Sequence, residues 1–252
     1  MRLLTLNDIK FFQSDLFREN NFIHAFFTKR SKHNEPIELQ KQLNLFSNIH
    51  YAKQVHSNKV IQVNNKLNSK PKLADSLITK EPSQSLWIYT ADCIPILIAD
   101  TKTRNIAACH SGLKGIKKKI IQKTLRRLER IGSKKKNLIF AIGPSIKGDK
   151  YQVEKEEVED LIIQLTGKSF IEKSLCKIDI KEKEIIPLFK KDSNPNKILI
   201  DIQATAILQL FKEGIKQNQI NINRICTYSN PNLFNSYRRD RTTSRQWSCI
   251  YS

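Results

Sequence analysis

Several things are scarce in this 252-residue chain, and each scarcity excludes a class of protein. Glycine occurs seven times, and neither GxGxxG nor GxxxxGK(S/T) is present, so dinucleotide-binding and P-loop chemistries are not supported. The five cysteines (Cys93, Cys109, Cys176, Cys226, Cys249) are odd in number, scattered and without a CxxC pair. That excludes a disulfide framework and fits a reducing compartment. No apolar run reaches the roughly 18–20 residues that cross a bilayer; the longest, around Ile94–Ala99, is strand-sized. Met1-Arg2-Leu3-Leu4 runs into Asn7, Asp8 and Lys10 without an apolar stretch, so no secretory signal is read and a cytoplasmic location is expected.

Acidic residues are scarce too, 24 against 44 Lys and Arg, which leaves a net charge of +20 and a pI near 9.8. Such a surplus invites a nucleic-acid reading, because Lys and Arg facing phosphates supply most non-specific affinity. The surplus is made of 32 Lys and only 12 Arg, alongside 34 Ile and 20 Asn but 10 Ala. Lys, Ile and Asn are residues of A/T-rich codons, so a drift of composition raises Lys everywhere without any partner. Most of the charge therefore reads as Lys dispersed over solvated faces, including Lys117–Arg130. No zinc-finger or RNA-binding signature accompanies it, and no nucleic-acid or membrane partner is expected.

What is present is a core-forming chain, 39% apolar with 12 Phe. Strand-type runs recur at Phe22–Thr28, Ala52–His56, Val60–Val63, Leu86–Thr90, Ile94–Ala99, Asn105–Cys109, Asn137–Ile142, Ile222–Tyr228 and Trp247–Tyr251. Helical periodicity predicts Gly115–Ile131, with Ile116, Ile120, Ile121, Leu125 and Leu128 on one face, then Glu154–Leu165 and Asp201–Glu213. No linker-like stretch divides the chain, so one α+β domain over residues 1–252 is expected.

Chemistry concentrates at three expected strand ends. His56 closes Ala52–Val55, Cys93 follows Thr90-Ala91-Asp92 at a break between two apolar strands, and His110 precedes Ser111-Gly112-Leu113-Lys114-Gly115. Two imidazoles and one thiolate with an open fourth position are the pattern of a catalytic zinc. No local spacing ties the three together, and a buried Cys is more usually a small apolar filler and a strand-end His a satisfied hydrogen-bonder. Cys93 with His110 also suits a thiolate–imidazole pair for acyl transfer. Asp75 and Asp92 are candidates to orient a ligand His. Lys114 and the Gly112–Gly115 turn suit an anion, as do Arg238 and Arg239 in Ser236–Arg245, unless pairing with Asp240 makes these arginines a structural clamp.

Gln54-Val55-His56, Ala74-Asp75-Ser76-Leu77-Ile78-Thr79, Thr90-Ala91-Asp92-Cys93, His110-Ser111-Gly112-Leu113-Lys114-Gly115, Ala141-Ile142-Gly143-Pro144 and Cys226-Thr227-Tyr228 through Ser236-Tyr237-Arg238-Arg239-Asp240 form an ordered set. In that set the chain resembles the YfiH/laccase-domain family, also described as multicopper polyphenol oxidase or peptidoglycan editing factor. The resemblance implies a single α+β domain with a mixed β-sheet core flanked by helices. It implies a metal, zinc with copper as the other possibility, bound by His56, Cys93 and His110 as the catalytic centre. It further implies phosphorolysis of adenosine, inosine and methylthioadenosine, with adenosine deaminase activity. Arg30, Asn44, Lys114, Arg238 and Arg239 are then the candidates to hold nucleoside and phosphate, in a chain expected to be a monomer. A Cys/His amidase editing peptidoglycan precursors, a copper polyphenol oxidase and a basic nucleic-acid binder are the alternatives. The chain departs from the family where HAGWRG becomes His110-Ser111-Gly112-Leu113-Lys114-Gly115, in the loop Thr28-Lys29-Arg30-Ser31-Lys32, which lacks both usual glycines, and at Ser244, a usual Gly.

Overall fold

Strands that are apolar at every position must be covered on both faces, and two stacked sheets provide the cover. The computed structural model describes residues 1–29, 35–65, 70–167, 177–179 and 185–252. One six-stranded mixed sheet runs in the order Arg2–Leu6, Ile9–Gln13, His24–Phe27, Gln246–Tyr251, Gln84–Thr90, Asn48–Tyr51. The second runs Ile220–Ile222, Leu138–Ile142, Ile94–Asp100, Ile106–Ser111, Ser76–Thr79, Val60–Gln62. Along Ile94–Asp100 the two-residue period divides the side chains. Leu97 and Ala99 enter the core between the sheets with Phe26, Leu86, Ile88 and Ile250. Ile94, Ile96 and Ile98 face the helices Ile120–Arg130, Lys155–Thr166 and Ile202–Lys212. The helix Pro36–Gln42 covers the far side of the first sheet through Leu39, against Phe27 and Trp87. The architecture is α+β, with mixed sheets flanked by helices.

Three expectations are corrected. The helix expected over Gly115–Ile131 is two helices, Leu113–Lys117 and Ile120–Arg130, broken where Lys119 adopts φ 61°. The left-handed turn keeps Ile116 and Ile120 both fully buried as the chain changes direction. The strand expected over Ile222–Tyr228 stops at Ile222: Asn223 Oδ1 accepts the N–H of Ile225 at 2.9 Å and turns the chain out, so that only Cys226 bridges back, to Ser145. The strand expected over Ala52–His56 does not form either, for a reason that belongs to the site below.

His24 is a structural residue. It is fully buried, with its Nδ1–H donating to the Phe22 carbonyl at 2.9 Å and its Nε2 accepting the Ser14 N–H at 2.6 Å. Burial pushes its pKa down from 6.5 to about 4, against the Phe22 hydrogen bond and with help from Arg18. The neutral ring therefore contributes its full stability above pH 6.5 and loses it as the pH falls to about 4, because the unfolded chain takes up the proton first. A shift of this size corresponds to about 3 kcal/mol. Urea unfolding followed from pH 7 to pH 4 is expected to show this loss. His24→Gln is expected to be less stable at pH 7 but to have a flatter acid limb; an unchanged slope would remove His24 as its source.

Candidate metal centre

The site is organised by one carboxylate. Asp75 immediately precedes the strand Ser76–Thr79, and its side chain is wholly buried. Its Oδ1 accepts the His56 N–H at 2.9 Å; its Oδ2 accepts the N–H groups of Ser57 at 2.7 Å and Val55 at 3.4 Å and the Ser57 hydroxyl at 2.7 Å. Backbone donors that a strand would commit to a ladder are committed to this carboxylate instead. That is why Ala52–His56 leaves the sheet after a lone Lys53–Leu73 bridge, and why His56 sits in a turn at φ 55°. Gln54 fixes the approach: its side chain donates to the Tyr89 carbonyl and accepts the Tyr89 N–H, while its own N–H donates to the Tyr89 hydroxyl.

Asp75 Oδ1 also meets His110 Nδ1 at 2.9 Å. His110 lies within the strand Ile106–Ser111, buried, and its other nitrogen is left for the site. Cys93, half-buried, occupies the turn that carries the chain from Gln84–Thr90 of the first sheet into Ile94–Asp100 of the second. Its Sγ is 3.8 Å from His56 Nε2, and the His56 and His110 rings meet edge-on at 4.9 Å. The three donor atoms of His56, Cys93 and His110 all lie within 4.8 Å of one another. Zinc bonds of about 2.0–2.3 Å put neighbouring ligands of a tetrahedral site about 3.5 Å apart, so this donor set fits such an ion after small side-chain adjustments. Burial opposes charge here, but the His110 imidazolium draws the Cys93 thiol down to about 6. Against burial, the Cys93 thiolate and the Asp75 carboxylate hold His110 up at about 9. Burial likewise opposes ionisation of Asp75, and the hydrogen bonds from His110 and Ser57 override it, keeping Asp75 well below the usual carboxylate range.

Asp92 does something different. At φ 89° it accepts the Thr227 hydroxyl at 2.6 Å, the Ser236 hydroxyl at 3.0 Å and the Arg238 N–H at 2.7 Å. It binds the C-terminal segment to the turn carrying Cys93 rather than orienting either ligand His. Arg238 lies over the Tyr151 ring at 5.0 Å, and the Cys93 charge helps, after burial, to push the Tyr151 phenol up to about 12. Arg239 is consumed by the carbonyls of Thr227, Tyr228 and Phe234 and by Asp240, the clamp geometry. Lys114 is exposed on a helix of only five residues. Asn44 is not brought to the triad: its loop closes against Ser83, at the start of Gln84–Thr90, a strand length of about 20 Å from the Cys93 end. Arg30 lies outside the described residues. Beside Tyr89 a cavity of about 390 Å³ is lined by Lys29, Tyr89, Asn235, Arg245 and Trp247, with Thr243 and Ser244. Tyr89, Trp247 and Tyr151 stand around the centre with no sequence motif to mark them, apart from Gln54, two residues before His56, which binds Tyr89.

The model of the multi-copper polyphenol oxidoreductase laccase family matches residues 29–252, which includes every described residue of this centre. The chain belongs to that family. Among its relatives is a purine nucleoside phosphorylase of Synechocystis sp., 33% identical over 242 residues, covering 91% of this chain and 89% of the relative. Among solved structures, the YlmD protein of Geobacillus stearothermophilus superposes with a TM-score of 0.81 at 19% identity, covering 98% and 97% of the two chains. The hypothetical protein YfiH of Bacillus licheniformis superposes at 0.78 and 21%, covering 97% and 96%. These two share the fold of this laccase-family chain.

Gly112 makes the packing of the centre testable. A Cβ added there would lie 2.6 Å from Cys93 Sγ and 3.3 Å from His56 Cδ2, while its φ of −87° suits any residue. Gly112→Ala is therefore expected to keep the circular dichroism of the parent and lose at least about tenfold in zinc affinity, measured by competition with a chelating dye. Asp75→Asn, which removes the charge behind His110, is expected to cost about 10–100-fold in the same assay. Parent-like affinity in both variants would dissociate these residues from metal binding.

Proposed function

We propose that the chain is a zinc-dependent purine nucleoside phosphorylase acting on adenosine, inosine and methylthioadenosine, with adenosine deaminase activity at the same centre. The observation that carries this reading is the convergence of His56, Cys93 and His110 around one point, backed by Asp75. It occurs in a chain 33% identical to a protein named purine nucleoside phosphorylase. His56, Cys93 and His110 are the residues to hold the ion, which when bound supplies Lewis acidity. Phosphorolysis breaks the bond from ribose to purine and forms one from ribose to phosphate, so the site must neutralise an anion and grip an aromatic base. Arg238, whose backbone N–H is held by Asp92 and whose guanidinium lies over Tyr151, is a candidate cation for the anion, together with Arg30 and Lys114. Tyr89 and Trp247, with rings 5.0 Å apart in a near-perpendicular arrangement, offer aromatic surface for a purine in the neighbouring cavity.

A second reading draws on Cys93 and His110 alone. A thiol drawn down to about 6 beside a cationic imidazole is also the equipment of a cysteine amidase. Retention of turnover after chelation and its loss on alkylation of Cys93 would select that chemistry.

With adenosine as substrate, chromatography is expected to show adenine only when phosphate is supplied, and inosine from the deaminase activity. Absence of both products from the zinc-loaded protein would overturn the reading. Cys93→Ala is expected to lose bound metal and to cost at least about two orders of magnitude in turnover. Parent-like turnover by the metal-free variant would sink the metal requirement.

A further inference from the structure

Half of the positive surplus lies in 23 residues. From Lys114 to Lys136 the chain carries eight Lys and three Arg against Glu129 alone, a net of +10 out of +20. The fold spreads this segment over one surface rather than dispersing it. The helix Ile120–Arg130 buries Ile120, Ile121, Leu125 and Leu128 and turns Lys123, Arg126 and Arg130 to solvent. Those three positions stand at helical spacing and form a stripe. Lys117, Lys118 and Lys119 extend the exposed surface at one end, and Lys134 and Lys136 at the other. Among the described residues, Lys135 is the one member of the eleven with a carboxylate in reach, Glu213 at 2.8 Å. Lys117 donates to the Glu157 carbonyl, and Lys123 reaches Asn58 Oδ1 at 3.4 Å; neither bond removes a charge. Like-charged pairs four apart, Lys123 with Arg127 and Arg126 with Arg130, disfavour the helix unless an outside anion is present.

We infer that this face binds double-stranded nucleic acid through its phosphates, without sequence preference and independently of the nucleoside site. The composition of the face selects among polyanions. Its outer side carries no apolar residue to enter a lipid interface, since the apolar side of the helix is spent in the core. It carries no aromatic residue on which unstacked bases of a single strand would lie. Charge of this density, mostly on Lys, suits a regular array of phosphates and reads no base edges.

The test is fluorescence anisotropy of the full chain with a labelled duplex of mixed sequence, about two helical turns long (~20 bp), across a salt series. Lys123→Gln/Arg126→Gln/Arg130→Gln is compared with Lys80→Gln/Lys150→Gln/Lys191→Gln, which removes the same charge from exposed positions elsewhere. The first triple is expected to bind at least about tenfold more weakly at low salt, with a salt slope shallower by about one for each phosphate that is no longer neutralised. The second is expected to stay within about twofold of the parent. No binding at about 50 mM salt, equal weakening by both triples, or capture by phosphatidylserine vesicles in preference to the duplex would each overturn the proposal. The three single substitutions, each expected to contribute a share, keep the test open if the triple does not fold. Adenosine turnover and metal content are expected to be unchanged in both triples, so failure of duplex binding and failure of the nucleoside reading are separate results.

Discussion

The buried carboxylate of Asp75 is the constraint on which the centre depends. A charged acceptor removed from water must be fully hydrogen-bonded or it is strongly destabilising. Here the donors are the His110 ring, the Ser57 hydroxyl and the backbone N–H groups of residues 55, 56 and 57. Satisfying Asp75 therefore shapes both halves of the site at once. It orients His110 from behind and bends the neighbouring chain so that His56 faces the same point. Strain at His56, in the left-handed region, is of the size that such a network can hold in place, about 1–3 kcal/mol.

Asp92, the residue before Cys93, plays the complementary part. It ties Thr227, Ser236 and the amide of Arg238, all in the segment before the last strand, to the cysteine turn. Arg239 completes the attachment by bonding three carbonyls of that loop. Two carboxylates with similar sequence settings thus serve different ends, one behind a histidine and one beneath a loop. Their neighbours in space decide which, and neither set of neighbours is adjacent in sequence.

This marks how far the residues alone could be read. Ile94–Asp100 and Ile106–Ser111 were legible because a strand buried on both faces must be apolar throughout. The helix Ile202–Lys212 was legible from its Asp201 cap, whose side chain does accept the Ala204 N–H. Ala52–His56 was misread because its alternating side chains satisfy the strand pattern while its amides answer to a carboxylate about 20 residues away. The break at Lys119 was invisible for a related reason: the 3.6-residue period survives it, since Ile116 and Ile120 remain in register on the buried face. Side-chain periodicity reports which face is buried; it does not report where the backbone hydrogen bonds go.

Charge illustrates the same limit from the outside. Composition treats every lysine alike, and a drifting codon usage is a sufficient source for many of them. Periodicity already sets Lys123, Arg126 and Arg130 on the side opposite Leu125 and Leu128. What neither can tell is whether acidic residues from elsewhere fold over that side and neutralise it. Among the described residues they do not, apart from Glu213 at Lys135, because the strands Ile106–Ser111 and Ser76–Thr79 and the helix Ile202–Lys212 pack against the apolar side of the basic helix and leave its polar side to solvent. A surface is charged by what fails to cover it, and that is a property of the packing rather than of the count.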